Sequence, residues 1–423
     1  MAPLQTEVAE LRTENSQLRS RMAALEAGEA GEGGEEGGRR VRQRVGAAPH
    51  DAPPSDAAVQ AMDVAAAVAT LRVHVSVSRV AAAACKRLAN LCMEDQNEQL
   101  AAEAGAIEAI VAAMQAHPQE AEVQEEGCGA LRNVCCGTDA ARLARKQRAA
   151  AAGAIQAVVA ALQAHPQVAG VQEDGCGALA NVCSGDDDAG RARRQRAADA
   201  GAIEAVVAAL QAHPQVAIVQ QQGCAALVNV CSGTDATGLA RIQRAAEAGA
   251  IEVVVAALQA HPQEAEVQAE GCRVLRNVCC GTDAAGRARR QRAADAGAIE
   301  AVVAAMQAHP QVAGVEQQGC VALVNVCSGM DGAGLARKQR AAVAGAIEAA
   351  VAAMQAHRQV AGVQEMGCRA LTNVCCGTDA AARARRQRAV TAHAPEAATA
   401  ALQAHPENAA VQEQGQRLRD LLV

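Results

Sequence analysis

The chain contains no phenylalanine, tyrosine or tryptophan anywhere in its 423 residues. That absence removes the stacking platforms on which sequence-tolerant binders of single-stranded nucleic acid rely. It also removes aromatic cages for quaternary cations, and the Trp and Tyr anchors that dominate many interfaces. No surplus of positive charge compensates, because 39 basic against 46 acidic residues leave a formal net charge of −7. Nucleic acid is therefore not an expected partner. Long apolar runs are missing too. One long uncharged stretch, Ala149 to Gln172, is interrupted by Gln156, Gln163, His165 and Pro166, so no membrane span is expected there. Met1 opens a polar, charged stretch without an apolar h-region, and a secretory signal is not expected either.

Cysteine, by contrast, is abundant, with 17 in the chain. Within a repeat the cysteines lie seven apart, as in Cys128 and Cys135 or Cys176 and Cys183. On a helix that is about two turns, roughly 10 Å, beyond the roughly 7 Å limit for a disulfide. No Cys-x-x-Cys occurs, so the usual zinc spacing is absent and neither metal nor cofactor is expected. These cysteines read as small buried hydrophobes in a reducing compartment, which points to the cytoplasm, with the nucleus as the alternative.

What the chain does have is a segment returning every 48 residues, the interval from Ile155 to Ile203. Gly-Ala-Ile recurs with its isoleucine at Ile107, Ile155, Ile203, Ile251, Ile299 and Ile347. Asn-Val-Cys recurs with its asparagine at Asn133, Asn181, Asn229, Asn277, Asn325 and Asn373. A period this long means one supersecondary unit duplicated and stacked. Such stacks present a long surface, so binding is expected rather than chemistry. No nucleophile, carboxylate pair or phosphate loop stands out against the repeat, and an enzyme is not expected.

The N-terminus reads differently. Leu4, Val8, Leu11, Asn15, Leu18, Met22 and Leu25 alternate spacings of four and three. This is a heptad seam with leucine at every d position, and a single Asn at a fixes register in a two-stranded coil. Across a parallel dimer, Glu7 meets Arg12, Glu14 meets Arg19 and Arg21 meets Glu26, all opposite in sign. Residues 1–27 are therefore expected to form a leucine-zipper coiled coil joining two copies in parallel, a lone helix or a different zipper partner being the alternatives. Basic-region DNA reading is excluded, because the basic cluster Arg39, Arg40, Arg42 and Arg44 follows the zipper rather than preceding it. Residues 28–56 read as a flexible Gly/Glu-rich and basic linker.

Within a repeat, Ile203, Val206, Val207 and Leu210 mark one helical face, ending at His213-Pro214. Pro214 suits the first turn of a following helix. Val219, Gly223, Leu227 and Val230 continue on that helix, flanked by Cys224 and Cys231. Asp235 is a candidate cap for the next helix. Ala189 to Ala200 is helical by propensity and closed by Gly201. Each unit is thus expected to hold three helices.

The run Val123-Gln124-Glu125-Glu126-Gly127-Cys128-Gly129-Ala130-Leu131-Arg132-Asn133 resembles the third helix of an armadillo repeat. Ala152-Gly153-Ala154-Ile155 resembles the junction between its first and second helices. The resemblance covers residues 57–423 and implies an all-α, armadillo-type α-solenoid behind a short coiled coil. The N-terminal unit, starting near Asp56, is expected to lack its first helix. Gly415-Gln416-Arg417-Leu418-Arg419-Asp420 is expected to form a polar cap at the other end.

In armadillo proteins the recurrent asparagine lines an inner groove and bonds the main chain of an extended peptide. The resemblance therefore assigns Asn133, Asn181, Asn229, Asn277, Asn325 and Asn373 to a partner-binding groove, an amide being able both to donate and to accept. The plainer reading is an asparagine near a helix C-terminus that satisfies local backbone. Nuclear-import adaptors carry a tryptophan four residues before it, where this chain has Gly129, Gly177, Ala225, Arg273, Val321 and Arg369. The resemblance to import adaptors therefore fails at the residue that reads a nuclear localisation signal, and that reading is not expected. Arg273, Arg276 and Arg369 add positive charge beside the asparagines, which suits an acidic or phosphorylated segment, though drift after duplication gives similar scatter.

First helices carry basic clusters such as Arg191, Arg193, Arg194 and Arg196. Stacked, these form a basic ridge that is either a solvated face or an edge for an anionic partner. One histidine per unit, as at His165 and His213, reads as a helix C-terminal residue facing the dipole. The expected function is a non-catalytic protein-binding scaffold or adaptor. The alternative, a membrane-associated tether similar to the vacuolar armadillo family, meets a chain opening Met1-Ala2-Pro3, without the glycine that myristoylation requires.

Overall fold

The computed structural model describes residues 52–136 and 140–422. The expected zipper of residues 1–27 and all of the linker up to residue 51 lie outside the described residues. Residues Pro53–Val423 form one compact unit, and every regular element among the described residues is a helix. The fold is an all-α solenoid of stacked three-helix units.

One unit shows how the sequence builds it. Its first helix, Asp188–Asp199, starts where the Asp187 carboxylate accepts the Gly190 N–H. The same cap recurs at Asp235, Asp283, Asp331 and Asp379, as expected for Asp235. The chain then turns through Gly201 at φ +87°, a left-handed conformation that side-chain-bearing residues rarely adopt. The second helix, Ala202–Ala212, buries Ile203, Val206, Val207 and Leu210, the face that the 3.6-residue period marks. The third helix, Ala217–Val230, buries Val219, Cys224, Leu227 and Val230 against it. Gly223 makes that contact close: a Cβ there would lie 2.5 Å from Leu210 Cδ2.

Two expectations need correction. Pro214 is not in the first turn of the third helix, which begins three residues later at Ala217. It sits in a tight turn closed by the Val216 N–H on the His213 carbonyl, and its own carbonyl faces His261 Nε2 at 2.9 Å. The N-terminal unit does not begin without a first helix, because a one-turn helix, Asp56–Gln60, precedes Val64–Val73 and Ser78–Leu91. At the other end, Gln416, Arg417, Arg419 and Asp420 are exposed while Leu418 is buried. The polar residues expected as a cap thus face solvent on the helix Ala409–Leu422.

Successive third helices pack side by side along the whole unit, from Ser78–Leu91 to Ala409–Leu422. They make one continuous layer, and the asparagines lie along it.

Candidate functional site

Each recurrent asparagine uses its amide nitrogen inside the solenoid. Asn181 Nδ2 donates to the Arg132 carbonyl at 2.8 Å, Asn229 to Ala180 at 2.8 Å, and Asn277 to Val228 at 3.1 Å. Asn133, Asn325 and Asn373 do the same to Ala89, Arg276 and Val324. The acceptor is always on the preceding third helix, one residue before that helix's own asparagine. The donor half of each amide thus stitches neighbouring units together. Asn373 also accepts from Lys338 Nζ through its oxygen, at 2.5 Å.

Two further polar ladders run parallel to the first, a glutamine row that the sequence did not single out and the recurrent histidines. Gln220 Nε2 donates to both the Leu210 and His213 carbonyls, tying the third helix to the end of the second. Gln124, Gln172, Gln268, Gln364 and Gln412 repeat this pair of bonds. The histidines add a link between units rather than only facing a helix dipole. His213 Nε2 lies 2.8 Å from the Pro166 carbonyl of the preceding unit. A carbonyl can only accept, so that nitrogen carries the proton.

The basic ridge expected on the first helices is only in part a solvated face: Arg191 and Arg196 are exposed. Arg193 and Arg194 are buried. Arg193 donates to the Val182 carbonyl at 2.7 Å, to Ser184 at 2.7 Å, and to Gln147 Oε1. Arg145, Arg241, Arg289, Arg337 and Arg385 likewise donate to the end of the third helix before them. Orphan carbonyls at a helix C-terminus attract cations and need donors, and these arginines supply both. A fixed arginine every 48 residues, from Arg193 to Arg241, beside neighbours that change was the available signal. Of the rest of the cluster, Arg191 pairs with Asp188 and Arg196 donates to the Ala150 carbonyl. Arg244 forms a fork with Glu204, at 2.5 and 2.9 Å, joining two units at the surface.

Of the 17 cysteines, 14 are buried; Cys136 is exposed, and Cys280 and Cys376 are half-buried. Burial pushes the buried thiols up, Cys176 and Cys183 to about 12, which keeps them protonated and unreactive.

On the third-helix layer the charges divide by position along the stack. In the N-terminal half, cations meet acids on the next helix. Lys86 pairs with Glu126 at 2.8 Å, and Arg132 with Asp174 at 3.0 Å and Glu173 at 3.4 Å. Burial, and then the Glu126 and Asp174 charges beside it, raise the Glu125 pKa above the ordinary carboxylate value. Farther along, Arg273 pairs with Glu270 on its own helix at 2.7 Å. Arg276 and Arg369 are exposed and have no side-chain bond or ion pair among the described residues. The structure thus keeps Arg276 and Arg369 available on the layer and ties Arg273 down.

No protein-family model matches the chain, and no curated protein matches it in sequence. Among solved structures the chain is similar to one reported as "A conserved phosphorylation switch controls the interaction between cadherin and beta-catenin in vitro and in vivo". The identity is 13%, over 87% of this chain and 82% of that one, with a TM-score of 0.39. The site is therefore read from its own side chains. Among the described residues, no helix is long and apolar enough to cross a membrane.

Proposed function

We propose that the protein is a non-catalytic binding scaffold that lays an extended segment of a partner protein along its third-helix layer. The observation that supports this reading is the half-used asparagine row. The oxygens of Asn181, Asn229, Asn277 and Asn325 accept no bond among the described residues. They recur at the helix spacing of about 8–10 Å, which matches roughly three residues of extended chain. Each can accept a main-chain N–H, so the row is an acceptor ladder rather than the donor-and-acceptor ladder that the resemblance implies.

The Asn181, Asn229, Asn277→Ala triple variant tests this by capture of partners from lysate. Each lost bond weakens binding by about 0.5–1.5 kcal/mol, so capture should weaken by about one to three decades. The variant also loses three links between units, so its melting curve is recorded alongside. Undiminished capture by a folded triple variant would sink the groove role.

The same proposal has two copies held in parallel through Leu4, Val8, Leu11, Asn15, Leu18, Met22 and Leu25. Light scattering should give a dimer for the native chain and a monomer for Leu11→Asp with Leu18→Asp. A native monomer at micromolar concentration would remove the zipper from the scheme.

A further inference from the structure

The C-terminal half of the layer carries cations whose counter-ion positions are neutral. In the N-terminal half the rule is regular: a cation on one third helix meets an acid on the next. Lys86 meets Glu126 and Arg132 meets Asp174. The residue corresponding to Asp174, opposite Arg276, is Gln318, and the residue corresponding to Glu126, opposite Arg369, is Gln414. The fold is the same and these two positions are neutral, with Glu365 and Glu413 remaining elsewhere on the helices that carry Arg369 and Arg417.

Two recesses open on this stretch. One, of about 310 Å³, is lined among others by Lys338, Arg369, Thr372, Asn373 and Arg417. The other, of about 470 Å³, is lined among others by Arg276, Asn277, Asn325 and again Arg369. Arg369 belongs to both, so they adjoin, and no carboxylate lines either. Arg417, like Arg276 and Arg369, is exposed and makes no side-chain bond or ion pair among the described residues. The first recess also contains a polar group without a partner. Thr372 is only 9% exposed, and its hydroxyl makes no hydrogen bond. A buried, unbonded hydroxyl is uncommon in a folded chain.

We infer that this half of the layer takes an acidic extended segment of a partner, whose carboxylates occupy the counter-ion positions that Glu126 and Asp174 fill elsewhere. Arg369 sits at the centre, with Arg276 and Arg417 on either side. Planar guanidinium groups bind carboxylates in two-point forks, which gives the contact direction as well as charge. Arg369 and Arg417 lie on neighbouring third helices and Arg276 two helices before Arg369, so the unit spacing sets the matching acids roughly three and roughly six residues apart in the segment. The inference rests on the scaffold reading and specifies its partner's chemistry.

The test uses the native chain and a fluorescein-labelled twelve-residue peptide with glutamate at every third position, followed by anisotropy at physiological salt. Arms with glutamine in place of glutamate, with single-stranded DNA and with inorganic phosphate as competitor separate carboxylate recognition from attraction to any polyanion. The acidic peptide should bind and the glutamine peptide should not. Arg369→Glu should weaken binding at least tenfold and Arg369→Gln severalfold, while Arg191→Ser leaves it unchanged. Both side chains are exposed, so the three variants should fold, and circular dichroism checks this. No binding of the acidic peptide, binding indifferent to Arg369→Glu, or DNA binding as tight as the peptide would each overturn the inference. Loss of lysate capture in the asparagine variant alongside any of these results would leave the scaffold standing and remove only the acidic assignment.

Discussion

Arg241→Leu is expected to destabilise the protein by about 3 kcal/mol or more, whereas Arg191→Ser should change it by less than about 0.5 kcal/mol. Both residues lie in basic stretches of first helices, and their surroundings differ completely. Arg241 is 2% exposed and donates to the Val230 carbonyl at 2.9 Å, the Ser232 carbonyl at 2.8 Å and Gln195 Oε1 at 3.0 Å. Leucine fills the stem's volume but leaves three acceptors without donors, each worth about 1–3 kcal/mol when buried. Lysine in its place keeps the charge but not the fork, and should recover only part of the loss. Arg191 is exposed and its one ion pair is with Asp188 on its own helix, an arrangement of little net value. Urea unfolding of both variants gives the comparison directly. Equal effects would mean that the arginine ladder does not hold the helix ends. Because each unit contacts mainly its neighbours, hydrogen exchange should rise first around the end of Ala217–Val230.

The second large effect is expected at Glu316, two units on from Gln220. Six units have glutamine at this position, and each donates to two carbonyls. Glu316 is 2% exposed, and its Oε2 has no partner. An ionised carboxylate cannot donate to carbonyl oxygens, and no cation faces it. The titratable groups that feel its charge are the thiols of Cys272 on the preceding third helix and Cys320 on its own. Burial pushes its carboxyl up from 4.5 to about 8. Between those values the folded chain holds a proton that the unfolded chain has lost. The contribution of Glu316 to stability is therefore greatest below about pH 4.5, falls as pH rises towards 8, and levels off above it. The slope cannot exceed about 1.4 kcal/mol per pH unit. Glu316→Gln restores the two donor bonds and removes the titration. It should raise stability by about 1–3 kcal/mol at pH 7 and flatten the profile between pH 5 and pH 9. Superimposable profiles for the two proteins would show that the carboxylate is solvated in solution.

The two cases show how the same letters acquire different meanings. Gln220 and Arg241 repeat so faithfully that the sequence marks them as constrained. Nothing in a one-dimensional pattern says whether the constraint is a solvated face or a helix end. The arginine run was legible as a basic cluster, and its burial was not. Arginine's long stem lets the charged group reach backbone carbonyls inside a packed layer, an outcome that hydropathy alone ranks last. The asparagine row shows the converse: its periodic placement was legible, while half of its hydrogen-bonding capacity proved to be used in holding units together.

The sequence by itself determined the three-helix unit, its 48-residue period from Ile155 to Ile203, the left-handed turn at Gly201, the cap at Asp235 and the buried face of Ile203, Val206, Val207 and Leu210. These follow from local conformational preference and from apolar spacing, both of which act over a few residues. Only the tertiary structure decided which polar groups remain available to a partner. Asn229, His213 and Arg241 all have their donors taken by carbonyls of a neighbouring helix or unit, while Arg276 and Arg369 are left without counter-ions. The asparagine and histidine links, like the pair between Arg132 and Asp174, join residues 40 or more positions apart, whereas Arg241 reaches back 11 residues to Val230. Whether a charge is paired therefore depends on how one unit sits on the next, a relation that stacking creates.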